Sequence, residues 1–320
     1  MINGKSICVV VPTYKVGKSI INFLETFPDY IDQIIVVDDK CPLKSGEILS
    51  KNQIIQKKKI KIIFNEENLG VGGAVKKGYL EAIKFDLDII VKIDGDGQMN
   101  ANEIGMLVKA IQDGSDYVKG NRFLNNVAIK NYPFERFYGN KILSLLSKFS
   151  TGYWDLYDPI NGYTAITKEK LKEINLENID NGYFFETDML FNLYLLRAKA
   201  RDIPVKIQYF KDQQQNLKIG KESINFFIKN FLRFYKRLNY CYLGNNFGLP
   251  GLILIISIIS LLFTLIYGGS NWYMYSVIKE ISAPTGKIIF SSISLLVTLF
   301  TLFMFISFDV KNNPNLDKNE

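Results

Sequence analysis

The chain has no histidine among its 320 residues. That absence removes the imidazole base of a Ser-His-Asp or Cys-His hydrolase, histidine-ligated zinc, and a haem with a proximal histidine. Cysteine is scarce as well: Cys8, Cys41 and Cys241 stand far apart with no CxxC spacing. A disulfide framework and a cysteine-rich metal site are thereby excluded, and isolated thiols suit a reducing compartment. Acid–base work must fall to carboxylates, Lys, Tyr or the substrate itself. Charge is missing in two places. No Asp, Glu, Lys or Arg occurs from Leu238 to Ile278, or from Ile288 to Phe308, whereas 22% of the whole chain is charged. A soluble part is therefore followed by a membrane part.

Within the uncharged regions, Leu249–Tyr267 gives 19 residues and Ile288–Phe308 gives 21. At about 1.5 Å per residue each crosses the roughly 30 Å hydrocarbon core of a bilayer. The net charge of +7 raises the question of nucleic acid. Its distribution answers against it: seven Lys/Arg lie between Lys211 and Arg237, with only Asp212 and Glu222. Directly before an apolar span, anionic lipid is the natural partner of such a cluster. Residues 223–237 read as an amphipathic helix. Ile224, Phe227, Ile228, Phe231, Leu232 and Tyr235 recur at helical spacing, with Lys229, Arg233, Lys236 and Arg237 on the other side. Packed on the soluble domain it would be a surface helix; its basic and aromatic composition favours a helix lying in the membrane interface.

Loop charge places the Lys/Arg-rich side in the cytoplasm, so both termini are expected there and the loop Gly268–Lys287 outside. No cleavable signal peptide is legible at Met1-Ile2-Asn3-Gly4-Lys5. The expected organisation is a cytoplasmic domain over 1–210, a basic juxtamembrane segment over 211–248, a two-helix transmembrane hairpin over 249–308 and a cytoplasmic tail over 309–320.

Residues 1–120 alternate short β-branched runs with helical stretches: Ser6–Val11, Gln33–Val37, Ile60–Phe64 and Asp88–Ile93 are the runs. The alternation predicts an α/β fold, a mostly parallel sheet flanked by helices, with its ligand beyond the carboxyl ends of the strands. Those ends carry Pro12-Thr13-Tyr14, Asp38-Asp39, Asn65 to Gly73, and Asp94-Gly95-Asp96-Gly97-Gln98. Gly17-Lys18-Ser19 fails as a P-loop because its leading position is Pro12, and Gly70-Val71-Gly72-Gly73 fails as a dinucleotide fingerprint because Val75 occupies the third glycine position. Asp94 and Asp96 are one residue apart, so in extended chain both carboxylates face one way. Two such groups repel unless a cation lies between them. Mg²⁺ or Mn²⁺, shared with phosphate oxygens of a substrate, fits, with Gln98 beside it.

These motifs resemble family 2 glycosyltransferases of GT-A fold, and among them the polyprenyl-phosphate glycosyltransferases of the dolichyl-phosphate mannose synthase type. The resemblance runs from Val9 to about Tyr209. It rests on the strand-end segments above, on Lys119-Gly120-Asn121-Arg122 and on Asp158-Pro159-Ile160-Asn161-Gly162-Tyr163, all in order. It implies a nucleotide-diphosphate sugar held by Pro12, Tyr14, Asp38, Asp39, Gly70, Gly73 and Asp94. It implies a divalent metal on Asp94, Asp96 and Gln98, and an acceptor phosphate received by Arg122, Arg136 and Asn140. An Arg fork suits a phosphate dianion better than a lysine does.

The chain departs from the family pattern at Lys15-Val16 and at Lys40-Cys41-Pro42, both bordering the donor pocket, so base and sugar stay open. The expected reaction is inverting transfer of a sugar to a polyprenyl phosphate at the cytoplasmic membrane face. Transfer to a sugar hydroxyl is the alternative, with Glu186 or Asp188 as base; an inactive membrane scaffold or sugar-nucleotide sensor is a third reading. Association with further copies of the chain is left open.

Overall fold

A computed structural model describes the backbone of residues 1–2, 4–124, 134–206, 219–244 and 246–316, with their side chains except those of 134–138 and 219–223. The chain forms two compact units. The first comprises residues 1–234 and the second residues 235–316.

The first unit is built on a seven-stranded sheet: β1 (Ile7–Thr13), β2 (Gln33–Asp38), β3 (Ile60–Phe64), β4 (Ile89–Lys92), β5 (Tyr117–Asn121), β6 (Thr164–Thr167) and β7 (Ala200–Pro204). Their spatial order is β3-β2-β1-β4-β6-β5-β7. The first four are mutually parallel where they pair, as the alternating pattern predicts, and β6 runs antiparallel between β4 and β5. β1 reads ICVVVPT and is buried throughout, which a central strand covered by helices on both faces requires. The chain order reverses between β1 and β4, and in open α/β sheets such a switch point opens the ligand crevice. The helix Gly70–Lys84 packs on β1 and β2, and Ile104–Gln112 packs on the β4–β6–β5–β7 side.

The helix Ile219–Leu238 carries the amphipathic pattern, and in residues 224–234 its orientation reverses the ordinary one. Ile224, Phe227, Ile228, Phe231 and Leu232 are each at least half exposed, while Asn230 is buried and bonded to Ser150. Lys229 and Arg233 form ion pairs with Asp180 and Asp188. Phe226 and Phe234 are the aromatics that turn inward, edge-on to Phe184 and Phe149. The charged side faces protein, and the apolar side is uncovered.

The second unit is dominated by two long apolar helices, Leu249–Ile278 and Thr285–Lys311, with mean hydropathies of 2.7 and 2.3. The loop expected over Gly268–Lys287 is corrected: helix continues to Ile278, past Gly268 and Gly269. No charge and no proline intervenes between Gly251 and Lys279 to break the helix. Ser260, Thr264, Ser294 and Thr298 hydrogen-bond across the two helices, a seam of small polar residues that lets the helices approach closely. Within this unit Arg237 is fully buried and its guanidinium forks onto Asp309 at 2.6 and 2.9 Å, with Tyr242 Oη donating to the same carboxylate at 2.6 Å. Three of the seven cations counted as lipid-facing, Lys229, Arg233 and Arg237, are thus paired with protein carboxylates. The sequence could not show this, because the acidic partners lie far away along the chain.

Candidate active site

The strand ends around the switch point form the floor. Thr13 closes β1, and Pro12 O accepts the Gly95 N–H at 3.1 Å, which ties the segment after β4 to β1. Gly95 has no room for more: an added Cβ would stand 2.8 Å from Thr13 Oγ1. Tyr14 is 40% exposed at the rim, with Lys15 Nζ 5.3 Å from its ring centroid.

Asp38 and Asp39 are both buried, and both accept backbone N–H groups. Asp38 accepts Cys41 N and Gly46 N, each at 2.6 Å, and so holds the loop that follows β2. Asp39 accepts Asn65 Nδ2 at 2.7 Å and the N–H groups of Leu69 and Gly70 at 2.9 Å. It thereby neutralises the open amino end of the Gly70–Lys84 helix, where a carboxylate is favoured by the exposed N–H groups and the helix dipole. The glycines of that helix meet the chain itself. A Cβ at Gly70, whose φ is +79°, would fall 2.8 Å from Asn181 O, and one at Gly72 would collide with Asp180 O. Gly73 N donates to Asn181 O at 3.0 Å.

Asp94 and Asp96 follow β4. Lys92, two residues earlier, is fully buried and lies 2.9 Å from Asp94 Oδ1 and 2.7 Å from Glu186 Oε1. Burial alone would lower the Lys92 pKa; the carboxylates of Asp94 and Glu186 outweigh it and hold the ammonium charged. Asp96 is exposed, and its Oδ1 accepts Gln98 N at 3.0 Å. Desolvation by the surrounding chain, then the negative charge of Asp94, push the Asp96 carboxyl up to about 6. Two neighbouring carboxylates, one of them with its pKa raised in part by the charge of the other, form a donor set suited to a hard divalent cation. No group of three His, Cys, Asp or Glu converges among the described residues. The protein therefore offers two carboxylates, and diphosphate oxygens and water would have to complete an oxygen shell. Asp94 and Asp96 fit such a cation.

Arg122, just after β5, gives Nε and Nη2 to Asp158 at 2.7 Å each, and Asp158 is buried. The guanidinium plane is fixed by this fork. Beside it opens a cleft of about 480 Å³ lined by Phe123, Asn140, Lys141, Ser144, Leu145, Lys148 and Tyr157. Asn140 is thus brought next to Arg122's neighbour Phe123. Arg136 belongs to the helix Phe134–Thr151, and its side chain lies outside the described residues.

The two carboxylates considered as bases are both engaged in ion pairs. Glu186 faces Lys92, with Lys119 Nζ 3.9 Å away. Asp188 is wholly buried; it takes the Arg233 fork and the N–H of Asp180. Among the described residues Asp188 is tied to the Ile219–Leu238 helix through Arg233 and is closed off from solvent.

A family model described as glycosyl transferase family 2 matches residues 8–174, just over half of the chain. The chain belongs to glycosyl transferase family 2. Polyprenol monophosphomannose synthase of Mycolicibacterium smegmatis is 26% identical over 200 residues, covering 62% of this chain and 75% of that one. The UDP-N-acetylglucosamine–dolichyl-phosphate N-acetylglucosaminyltransferase of Methanococcus voltae is 28% identical over 218 residues, covering 64% and 86%. Glucosyl-3-phosphoglycerate synthase of Mycobacterium tuberculosis, solved with Mn²⁺, UDP and glucosyl-3-phosphoglycerate, superposes with a TM-score of 0.51 at 17% identity, covering 72% and 80%. The fold is GT-A-like, and this family 2 member is a glycosyltransferase.

The sequence assigned no role to Lys92, or to Lys119 beyond its place in the Lys119–Arg122 motif. Each is a charged residue inside a strand that is otherwise buried, and that inconsistency is the available signal.

Proposed function

We propose that this glycosyltransferase moves a sugar from a nucleotide-diphosphate sugar to a polyprenyl phosphate, with inversion, at the cytoplasmic face of a membrane. The observation that carries the acceptor choice is the engagement of Glu186 and Asp188. A hydroxyl nucleophile needs a positioned base. A phosphate monoester, with a second pKa of about 6, is largely dianionic at neutral pH and needs none. With Glu186 held by Lys92 and Asp188 held by Arg233, a nucleophile that arrives already charged is favoured. The relatives named for polyprenol, dolichyl and undecaprenyl phosphate support the same acceptor.

One acceptor phosphate oxygen attacks the anomeric carbon as the bond to the diphosphate breaks. The nucleoside diphosphate leaves with the bonding pair, and no proton need move. Asp94 and Asp96 would hold a divalent cation, whose chemistry there would be to compensate negative charge on the diphosphate. Arg122, its plane set by Asp158, and Arg136 would receive the acceptor phosphate, with Asn140 and the cleft beside it taking the adjoining part of the lipid. Pro12, Tyr14 and the Asp38–Asp39 loop would border the nucleotide, the two aspartates acting by shaping the backbone.

Residues 1–210 would be the catalytic part, 211–248 the juxtamembrane part and 249–308 the membrane hairpin, with both termini cytoplasmic. The uncovered apolar side of residues 224–234 would enter the lipid interface as an amphipathic helix does. Mass spectrometry of products from UDP- and GDP-sugars offered with a short polyprenyl phosphate tests the reading. A lipid-phosphate-linked sugar is expected; transfer only to saccharide hydroxyls would favour the second reading.

A further inference from the structure

Behind Asp94 lies a buried cluster of side chains that the reaction as derived leaves unused. Lys92 of β4 and Lys119 of β5 both pair with Thr164 of the intervening β6, so the two ammonium groups lie at one level of the sheet. Both lysines are fully buried. Glu186, from the first turn of the helix Phe185–Leu195, reaches between them, 2.7 Å from Lys92 and 3.9 Å from Lys119. Lys119 also donates to Asn161 O, and the next residue, Gly162, closes over the Lys92–Asp94 pair. A Cβ at Gly162 would collide with Lys92 Nζ and stand 2.5 Å from Asp94 Oδ2. Lys92, Lys119, Glu186 and Asp94 supply two positive and two negative groups.

Stability gives no reason for this arrangement. Replacing a buried ion pair by apolar residues of similar volume is often neutral or stabilising, because desolvating the charges offsets their attraction. The rest of β4, Ile89, Ile90 and Val91, is apolar and buried. Methionine at position 92 would fill the same space. What methionine cannot do is hold Asp94.

We propose that Lys92 is a positioning residue of the donor site: braced by Glu186 and covered by Gly162, it fixes the orientation of the Asp94 carboxylate that meets the metal–diphosphate of the donor. The inference rests on the reading of Asp94 and Asp96 as cation-binding. Lys92 itself is buried and touches no substrate; it acts through Asp94. Partners that orient metal-binding side chains typically contribute tenfold to a hundredfold in metal affinity or activity.

The test is Mn²⁺ binding to purified full-length protein in detergent, read from the electron paramagnetic resonance of free Mn²⁺, with UDP and separately with GDP present. Glu186→Gln keeps the Lys92–Asp94 contact, and its Mn²⁺ affinity is expected within about threefold of wild type, below the usual effect of losing an orienting partner. Lys92→Met alone leaves Glu186 without its close cation and risks unfolding. Lys92→Met combined with Glu186→Gln removes both charges and keeps the volume. This double variant is expected to remain folded by thermal melting and to bind Mn²⁺ about tenfold more weakly or worse. Equal or tighter Mn²⁺ binding by the folded double variant overturns the positioning role alone. No Mn²⁺ binding by wild type with either nucleotide overturns the cation reading, and this inference with it.

Discussion

Arg233 donates through Nε and Nη2 to the two carboxylate oxygens of Asp188, at 2.5 and 2.8 Å. Asp188 is fully buried, so losing Arg233 strands a charge away from water. Breaking one side of a buried pair typically costs about 3–5 kcal/mol. At about 2–4 °C per kcal/mol for a unit of this size, Arg233→Ala should lower the melting midpoint by about 10 °C. Asp188→Asn should also cost stability, while the transfer rate per folded molecule stays within about threefold, since Asp188 anchors and does not react. Melting curves and rates normalised to folded protein check both. Loss of transfer in a stable Asp188→Asn would restore it as a base.

That pairing shows where sequence reading stops. The helical spacing of Ile224, Phe227, Ile228 and Phe231 was legible, and so was an apolar face. Which face would meet protein depended on Asp180 and Asp188, the latter 45 residues before Arg233. The early strands were legible because β1 to β4 are short β-branched runs between turns. β5 to β7 were not: YVKGN and ARDIP carry Lys, Gly, Arg or Asp, tolerated through partners on other elements, and TAIT is only four residues long. The motif positions of the site were legible too. Their local tasks were not: Asp39 caps a helix, and Gly70 and Gly72 meet the Asp180–Asn181 backbone.

Asp202 supplies a pH test of the β7 edge. Its Oδ2 accepts Asn121 Nδ2 and Tyr157 N at 2.6 and 2.8 Å, whereas Oδ1 is buried without a hydrogen-bond partner among the described residues. Burial pushes its carboxyl up to about 6, above the roughly 3.9 of an unfolded chain. Between those values the folded state keeps a proton that the unfolded state has lost. Stability from this group is therefore greatest below about pH 4 and falls as pH rises to about 6. Asp202→Asn should raise the melting midpoint at pH 7.5 and raise it less at pH 5. An equal effect at both would exclude titration of Asp202 as the cause.

Asp94 and Asp96 follow β4, and the charge of Asp94 acts on Asp96. Asp96→Ala should abolish divalent-dependent transfer without changing the melting midpoint by more than a few degrees, because residue 96 is exposed. EDTA should silence wild type, and Mn²⁺ or Mg²⁺ should restore it. Full activity in EDTA would remove the cation from the mechanism.

Sidedness follows from where charge is absent. In a Cys241→Ser background, with Cys8 and Cys41 buried, a cysteine replacing Ser270 should label from outside intact cells. One replacing Asn315 should label only after permeabilisation. Tyr267, Trp272, Tyr273 and Tyr275 cluster near the first site, as aromatic residues do at a membrane–water boundary. The reverse labelling would place the catalytic part outside.

The acceptor separates the two enzymatic readings, and Arg136 decides between them. If the nucleophile is a phosphate dianion, a guanidinium must meet it, and Arg122 is already fixed by Asp158 at 2.7 Å. Removing one partner of a buried, charge-assisted contact typically costs about 2–5 kcal/mol, or roughly 30-fold to several thousand-fold in rate. Arg136→Ala should lower transfer to polyprenyl phosphate by that range, with the Kd for the nucleotide donor changed less than about threefold, since that contact is made to the acceptor and not to the diphosphate. Arg136→Lys should recover only part, because an ammonium lacks the planar fork. Transfer rates across a series of acceptor concentrations, beside calorimetric donor binding, read both quantities. Near-silence of Arg136→Ala in transfer would reject the phosphate acceptor and leave the hydroxyl reading in its place.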